Sequence, residues 1–185
     1  MWERFWQWLF PDQCMVCGAF GATLCLACCA QCPPYTGSLP VCGADSITIA
    51  YAYTGAIRQA ILRLKYVHQP RIAGVLGTML AAAITAPLPD AVIIPVPAAP
   101  HRVAARGYDQ AVLLARQLAH IRHAPMHTAL VRVRNTTAQA RLTKQQRQRN
   151  VHDAFAWRAP QAPHTVILVD DVCTTGATLR AAIAV

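Results

Sequence analysis

Two aspartates side by side, Asp170 and Asp171, end an uncharged aliphatic run, Val166-Ile167-Leu168-Val169, and lead into Cys173-Thr174-Thr175-Gly176-Ala177-Thr178. Each residue type suits one part of a phosphorylated sugar. Carboxylates accept hydrogen bonds from two neighbouring sugar hydroxyls, each charge-assisted bond contributing roughly 1.5–3 kcal/mol. They cannot serve the phosphate, because like charges repel. Thr174, Thr175 and Thr178 offer hydroxyl donors, while Gly176 and Ala177 let the backbone come close to an anion. Leu179, Ala182 and Ile183 follow at helical spacing, so a helix N-terminus with unpaired N–H groups would face that anion. No Gly-Lys-Ser/Thr closes the turn, which separates it from a Walker phosphate loop. The plainer alternative is an ordinary strand-to-helix connection with an acidic N-cap, which leaves the functional order of the parts unexplained.

A second chemistry is concentrated near the start. Cys14-x-x-Cys17, Cys25-x-x-Cys28 and Cys29-x-x-Cys32 make three CxxC pairs within nineteen residues, followed by a lone Cys42. Met1 to Phe10 carries Glu3 and Arg4, has no long apolar run and ends in no small-residue cleavage site, so no export signal is read there. Thiols at this density, without export, point to zinc rather than disulfides. Two CxxC pairs complete the tetrahedron of a structural zinc. Cys14, Cys17, Cys25 and Cys28 are the chosen set, with Cys29 and Cys32 a rival pair. A segment this small has no core of its own, so metal would supply much of its folding energy.

A third group surrounds a second aliphatic run, Ala91-Val92-Ile93-Ile94-Pro95-Val96-Pro97. The loop beyond it, Ala98 to Tyr108, holds His101, Arg102, Arg106 and Gly107. In an open α/β sheet, ligands gather at the carboxyl ends of strands. The arginine fork suits a pair of pyrophosphate oxygens, and Gly107 would admit the backbone beside it.

The elements that must position these groups are legible in outline. Uncharged strands at 91–97 and 166–169 suit a parallel sheet buried on both faces. Helices are expected over Gly55–Tyr66, Ile72–Ala86 and Tyr108–Arg122, the last with Leu114, Leu118 and Ile121 inward. Ile47–Tyr53 and His127–Val133 are β-prone, and Phe155 and Trp157 fall on a short strand that buries both. On the second helix candidate's predecessor, Lys65 could face an anion, although a solvated face is the commoner fate. Trp2, Phe5, Trp6 and Leu9 share one helical face, which would dock on the protein itself. Pro33-Pro34, Gly37 and Pro40 read as a linker, giving a helix and cysteine-rich module over 1–46 and a main domain over 47–185.

Composition bounds the partners. A chain of 185 residues, 55% hydrophobic and 14% charged, is no disordered segment. Its net charge of +9 is unevenly placed: His101 to Arg158 holds eleven Arg or Lys against Asp109 and Asp153. Arg141, Lys144 and Arg147 lie in a polar stretch, Arg134 to Asn150, expected to be a flexible loop. Such a basic half suits phosphorylated metabolites or nucleic acid. The longest uncharged stretch, Ile72–Pro89, is interrupted by glycine and proline and is too short to span a bilayer as a helix. A cytoplasmic protein without a membrane span is expected.

VILVDDVCTTGATLR resembles the 5-phosphoribosyl-1-pyrophosphate (PRPP) motif of type I phosphoribosyltransferases. Together with the cysteine module, YTGAIRQAILRLKY, IIPVPAAPHRVAARGYDQ and RVRNTTAQARLTKQQRQRNVHDAF, it resembles the ComF family of amidophosphoribosyltransferase-like proteins, which is tied to competence and DNA utilisation. The resemblance implies a type I phosphoribosyltransferase-like parallel sheet flanked by helices, with a small N-terminal zinc module. It implies that Asp170 and Asp171 hold the ribose hydroxyls and serve catalysis, and that Thr174, Thr175, Gly176, Ala177 and Thr178 hold the 5′-phosphate. Arg102, Arg106 and Gly107 would hold pyrophosphate, and Arg141, Lys144 and Arg147 would sit on the loop that closes over substrate. Mg²⁺ would come with PRPP, and the second substrate would be a nitrogen acceptor. A non-catalytic alternative is a PRPP sensor or a single-stranded DNA-binding protein working with DNA-uptake proteins; an oligomer is open to either. Two departures stand out. Leu39 replaces the first cysteine of the family's further CxxC, leaving Cys42 alone, and the chain stops at Val185 inside the helix after the motif, so a truncated domain is expected.

Overall fold

The two aliphatic runs pair with each other. In the computed structural model, β1 (Val92–Pro95) lies parallel to β4 (Val166–Val169), in register from Val92 opposite Val166 to Pro95 opposite Val169. Residues 12–87, 89–134 and 154–185 are described. The N-terminal helix expected over Met1–Phe10 and the loop residues Arg141, Lys144 and Arg147 lie outside them. The other edge of β1 meets Met126 in a parallel bridge. There Ile93 N donates to Pro125 O, and His127 N donates to Ile93 O, each at 2.9 Å. A short antiparallel pair, β2 (Leu130–Arg132) and β3 (Phe155–Trp157), stands apart from this sheet.

Six helices are described: α1 (Leu26–Ala30), α2 (Gly55–Tyr66), α3 (Ile72–Ala83), α4 (Pro100–Arg106), α5 (Gln110–Arg122) and α6 (Ala177–Ile183). Alternation along the parallel strands decides which layer each residue meets. Ile93, Ile167 and Val169 face a cluster with Ile61 and Leu64 of α2, Ile72 and Leu76 of α3, and Leu114 and Leu118 of α5. Ile94 and Leu168 face the opposite way, toward Leu130, Phe155 and Ala182. Both faces of the small sheet are therefore covered, as parallel pairing requires. The result is a mixed α/β fold.

Several expectations shift. Burial along β4 is graded rather than complete: Val166 is 40% exposed and Val169 only 3%. The strand begins at an exposed connection, and among the described residues it pairs with β1 alone. Ile47–Tyr53 forms no strand; its one ladder contact is the bridge of Tyr51 to Pro34. Ile121 is 36% exposed, because the buried stripe of α5 is centred on Ala111, Ala115 and Leu118, with Ile121 at its margin in the last turn. Helix α3 stops at Ala83, where Arg122 reaches back to the carbonyls of Ile84 and Ala86.

The cysteine segment is packed onto the main body. Cys14, Met15, Leu24, Cys28 and Cys32 belong to the same buried cluster as Ile57, Ile61 and Leu64 of α2. The expected linker also makes a contact of its own: Val41 is buried, and a Cβ built on Gly176 would lie 2.6 Å from Val41 Cγ2.

Candidate functional site

Parallel pairing of β1 and β4 gives both strands the same carboxyl end. Val96 N donates to Val169 O at 2.9 Å, so the residues after each strand leave the sheet together. After β4 come Asp170 and Asp171, then exposed Thr174 and Thr175, then Gly176 and α6. Gly176 has φ of 69°, the left-handed conformation that frees the chain to turn into the helix. Ala177 N donates to Thr175 Oγ1 at 3.4 Å, which steadies the turn.

The acidic pair is asymmetric. Asp171 Oδ2 lies 2.6 Å from Lys65 Nζ, with the Asp171 side chain only 5% exposed. Among the described residues Asp170 has no such cation in salt-bridge contact, and its Oδ1 accepts from Asp171 N at 2.8 Å. Burial pushes the Asp170 carboxyl up to about 8, and the negative charge of Asp171 pushes it the same way. The pair thus sets a carboxylate clamped by Lys65 beside one whose proton is held to about pH 8.

The segment after β1 is not an open loop. Pro100 at the first helical turn starts α4, and Gly107, with φ of 82°, ends it in the left-handed region. The ends of this insertion are tied together by Asp109, whose Oδ1 caps α5 through Ala111 N at 2.9 Å and whose Oδ2 accepts from Ala98 N at 2.8 Å. Arg102 is exposed on α4. Arg106 turns inward instead, 8% exposed. Its Nε donates to Lys65 O at 2.7 Å, its Nη1 donates to Gln110 Oε1, and its guanidinium stands over Tyr66. The two arginines are thus divided between surface and frame.

Sequence reasoning missed four contributors. Lys65, expected on a solvated face, reaches the acidic pair. Tyr108 OH donates to Leu64 O at 2.6 Å. Asp109 closes the α4 segment. Arg132, at the end of β2 and over the Phe155 ring, is lowered from its ordinary value first by burial, then by Arg102, with Asp170 and Asp109 opposing. Those charges share one neighbourhood that no local motif announces. A cavity of about 920 Å³ lies elsewhere, between Asp12, Phe20 and Arg63, His68 and Arg71.

The thiols form a separate centre. The Sγ atoms of Cys14, Cys17, Cys25 and Cys28 all lie within 4.8 Å of one another. Cys14 and Cys17 sit on a tight turn closed by Gly18 N donating to Cys14 O at 2.7 Å, while Cys25 caps α1 and Cys28 lies within it. Burial would raise the Cys14 thiol, but N–H groups of Cys17, Cys25 and Val16 favour the thiolate and bring it down to about 6. Burial pushes Cys28 up, helped by its neighbouring thiols. Four sulfurs converging so closely, one already favoured as thiolate, fit a tetrahedral soft-metal site such as zinc. The rival pair faces backbone: Cys32 Sγ contacts Cys28 O at 3.3 Å, and Cys29 Sγ contacts Leu24 O at 4.0 Å. Cys42 is exposed and outside the cluster. Among the described residues, no helix is long and apolar enough to cross a membrane.

The molecule is therefore a mixed α/β protein with a cluster of four cysteines that could hold a metal ion and, separately, an acidic, hydroxyl-rich strand edge. The chain is similar to the DNA utilization protein YhgH of Salmonella typhi, 33% identical over 135 residues covering 69% of this chain and 59% of that protein. It is 35% identical to Competence protein F of Haemophilus influenzae over 147 residues, 74% of this chain and 64% of that protein. These relatives, named for competence and DNA utilisation, support the ComF family for this chain. It spans about 60% of the length of the curated relatives it matches. No family model matches the chain, and no solved structure does.

Proposed function

We propose that this chain carries a phosphoribosyltransferase-like site that binds PRPP and passes its phosphoribosyl group to a nitrogen acceptor, in a role connected with DNA utilisation or competence. The observation that carries the reading is the shared carboxyl end of β1 and β4, which brings an acidic pair, a Thr/Gly turn and an arginine-bearing helix to one sheet edge. Asp170 and Asp171 face the ribose 2′ and 3′ hydroxyls, and the negative charge carried by the pair favours positive charge developing at C1′. Thr174 to Thr178 receive the 5′-phosphate. Arg102 faces the pyrophosphate, and Arg106 and Gly107 hold the backbone that presents it. The C1′–O bond to pyrophosphate breaks, a C1′–N bond forms, and the acceptor's proton leaves to solvent. Mg²⁺ bound with PRPP would supply charge neutralisation for the leaving group. Zinc is the metal proposed for the four cysteines, and it supplies folding energy rather than chemistry.

Calorimetric titration of PRPP with Mg²⁺ tests this, beside an Asp170→Asn/Asp171→Asn variant. Saturable heat that the variant loses is expected, with pyrophosphate released once the right base is added. No heat in the wild type overturns the reading. The eleven basic residues between His101 and Arg158 and the names of the relatives favour a second reading, single-stranded DNA binding. Its signature is affinity that falls steeply as salt rises.

A further inference from the structure

The last turn of α2 meets both halves of the strand edge. A helix ends with carbonyls that have no partner within it. In α2 two of them are satisfied from the segment after β1: Leu64 O accepts from Tyr108 OH at 2.6 Å, and Lys65 O accepts from Arg106 Nε at 2.7 Å. The side chain of that same Lys65 turns to the segment after β4 and meets Asp171 Oδ2 at 2.6 Å. Three contacts from two consecutive residues therefore join two loops that β1 and β4 alone would leave unconnected. The buried stripe Ile57, Ala60, Ile61 and Leu64 fixes the rotation of α2. Lys65, one position beyond Leu64, is left beside the core, with its stem covered and 20% of its side chain exposed.

We propose that Lys65 is a positioning residue for the acidic pair, holding Asp171 in place through its ammonium while its backbone sets the distance to the arginine segment. The proposal rests on the phosphoribosyl reading for its substrate, but the ion pair it invokes is a property of the free protein. Removing the ammonium leaves Asp171 nearly dry beside Asp170 with no cation of the described residues in contact, so the two carboxyls compete for protons. Other charged or titratable groups in this neighbourhood are Arg132 on β2, which feels Asp170 as well as Arg102 and Asp109, and the Cys173 thiol on the same loop, which feels both Asp170 and Arg180 of α6. Among the described residues, Lys65 is the cation in salt-bridge contact with the pair.

The test compares wild type, Lys65→Met and Lys65→Arg. Methionine keeps the aliphatic stem, and arginine restores the charge. Carbon-13 titration of the Asp170 and Asp171 carboxyls reads the free protein. The pair's titration is expected to move at least one pH unit upward in Lys65→Met and to return in Lys65→Arg. The nitrogen-15 signal of the Lys65 ammonium in Asp171→Asn, expected to lose its ion-pair shift, gives the same answer without a lysine variant. A carboxyl titration in Lys65→Met that coincides with wild type overturns the proposal, as does an unchanged Lys65 signal in Asp171→Asn. PRPP affinity forms the second arm, expected to weaken at least tenfold in Lys65→Met and to recover in Lys65→Arg. Should the wild type bind no PRPP while the carboxyl titration still moves, the substrate reading falls and the positioning role of Lys65 stands.

Discussion

Asp170 is where the chemistry of a single residue is most exposed to measurement. Folding raises its carboxyl from the ordinary value near ~3.9 to about 8, through burial first and the charge of Asp171 second. The folded chain then binds a proton that the unfolded chain has released. Its contribution to stability is complete below the ordinary value and is lost as pH rises toward 8. Asp170→Asn removes the ionisation and keeps the shape. The variant should therefore gain on wild type between pH 5 and pH 8, by on the order of 1–3 kcal/mol. Denaturant melts at both pH values check it, and a constant difference would contradict the assigned burial. The same substitution should weaken PRPP binding, since stability and function oppose each other at this carboxyl. Arg106 teaches the converse lesson. From its spacing it belongs with Arg102 as an anion ligand, yet its fork is taken by a carbonyl and an amide, and its value to the site lies in holding the backbone.

At the scale of elements, the contact between α3 and α5 decides how closely the helical layer can sit on the sheet. A Cβ on Gly77 would stand 2.6 Å from Gln117 Cβ, an atom that cannot swing away. Gly74, one turn earlier on the same helix, has open space where its Cβ would be. The two glycines should therefore respond with opposite signs. Gly77→Ala should destabilise by about 1–3 kcal/mol through overpacking, whereas Gly74→Ala should stabilise by about 0.5–1 kcal/mol through helix propensity. Thermal melts of the two variants, side by side, make the comparison. If both stabilise, the close helix approach is wrong. This contact also bears on the site, because α5 begins at Asp109, whose carboxylate closes the α4 segment.

Across the whole molecule, the cysteine cluster and the acidic edge are joined through α2. The buried face of that helix shares one core cluster with Cys14, Leu24 and Cys28, and its last turn holds Asp171, Arg106 and Tyr108. A metal that fixes the four sulfurs would thereby fix the position of the clasp. Chelation of the zinc-loaded protein should lower its melting temperature by several degrees and weaken PRPP binding with it. Cys17→Ser should do the same, while Cys42→Ser, outside the cluster, should leave metal content unchanged. Metal analysis with melts of these variants checks the link. A chelated protein that melts and binds as before would uncouple the two centres.

The chemistry of short segments was legible in the residues themselves. Cys14-x-x-Cys17 and Cys25-x-x-Cys28 declare their role because two thiols three apart can reach one ion whatever surrounds them. Helix α2 could be bounded from its Gly55 start and its Ile57, Ile61 and Leu64 spacing, and the strands from aliphatic runs ending at Pro95 and Asp170. Contacts between distant segments were not legible, because nothing local in a charged residue says which element will pack beside it. Lys65 is drawn to Asp171 across 106 positions only after Leu64 has been buried. Val41, in a proline-rich stretch that reads as a linker, is buried because Gly176 has no side chain to keep it away. The sequence by itself determined which groups could bind metal, sugar hydroxyl and phosphate. Only the tertiary structure decided which of them are free to do so, since that depends on helix rotation and layer packing, which act over long separations.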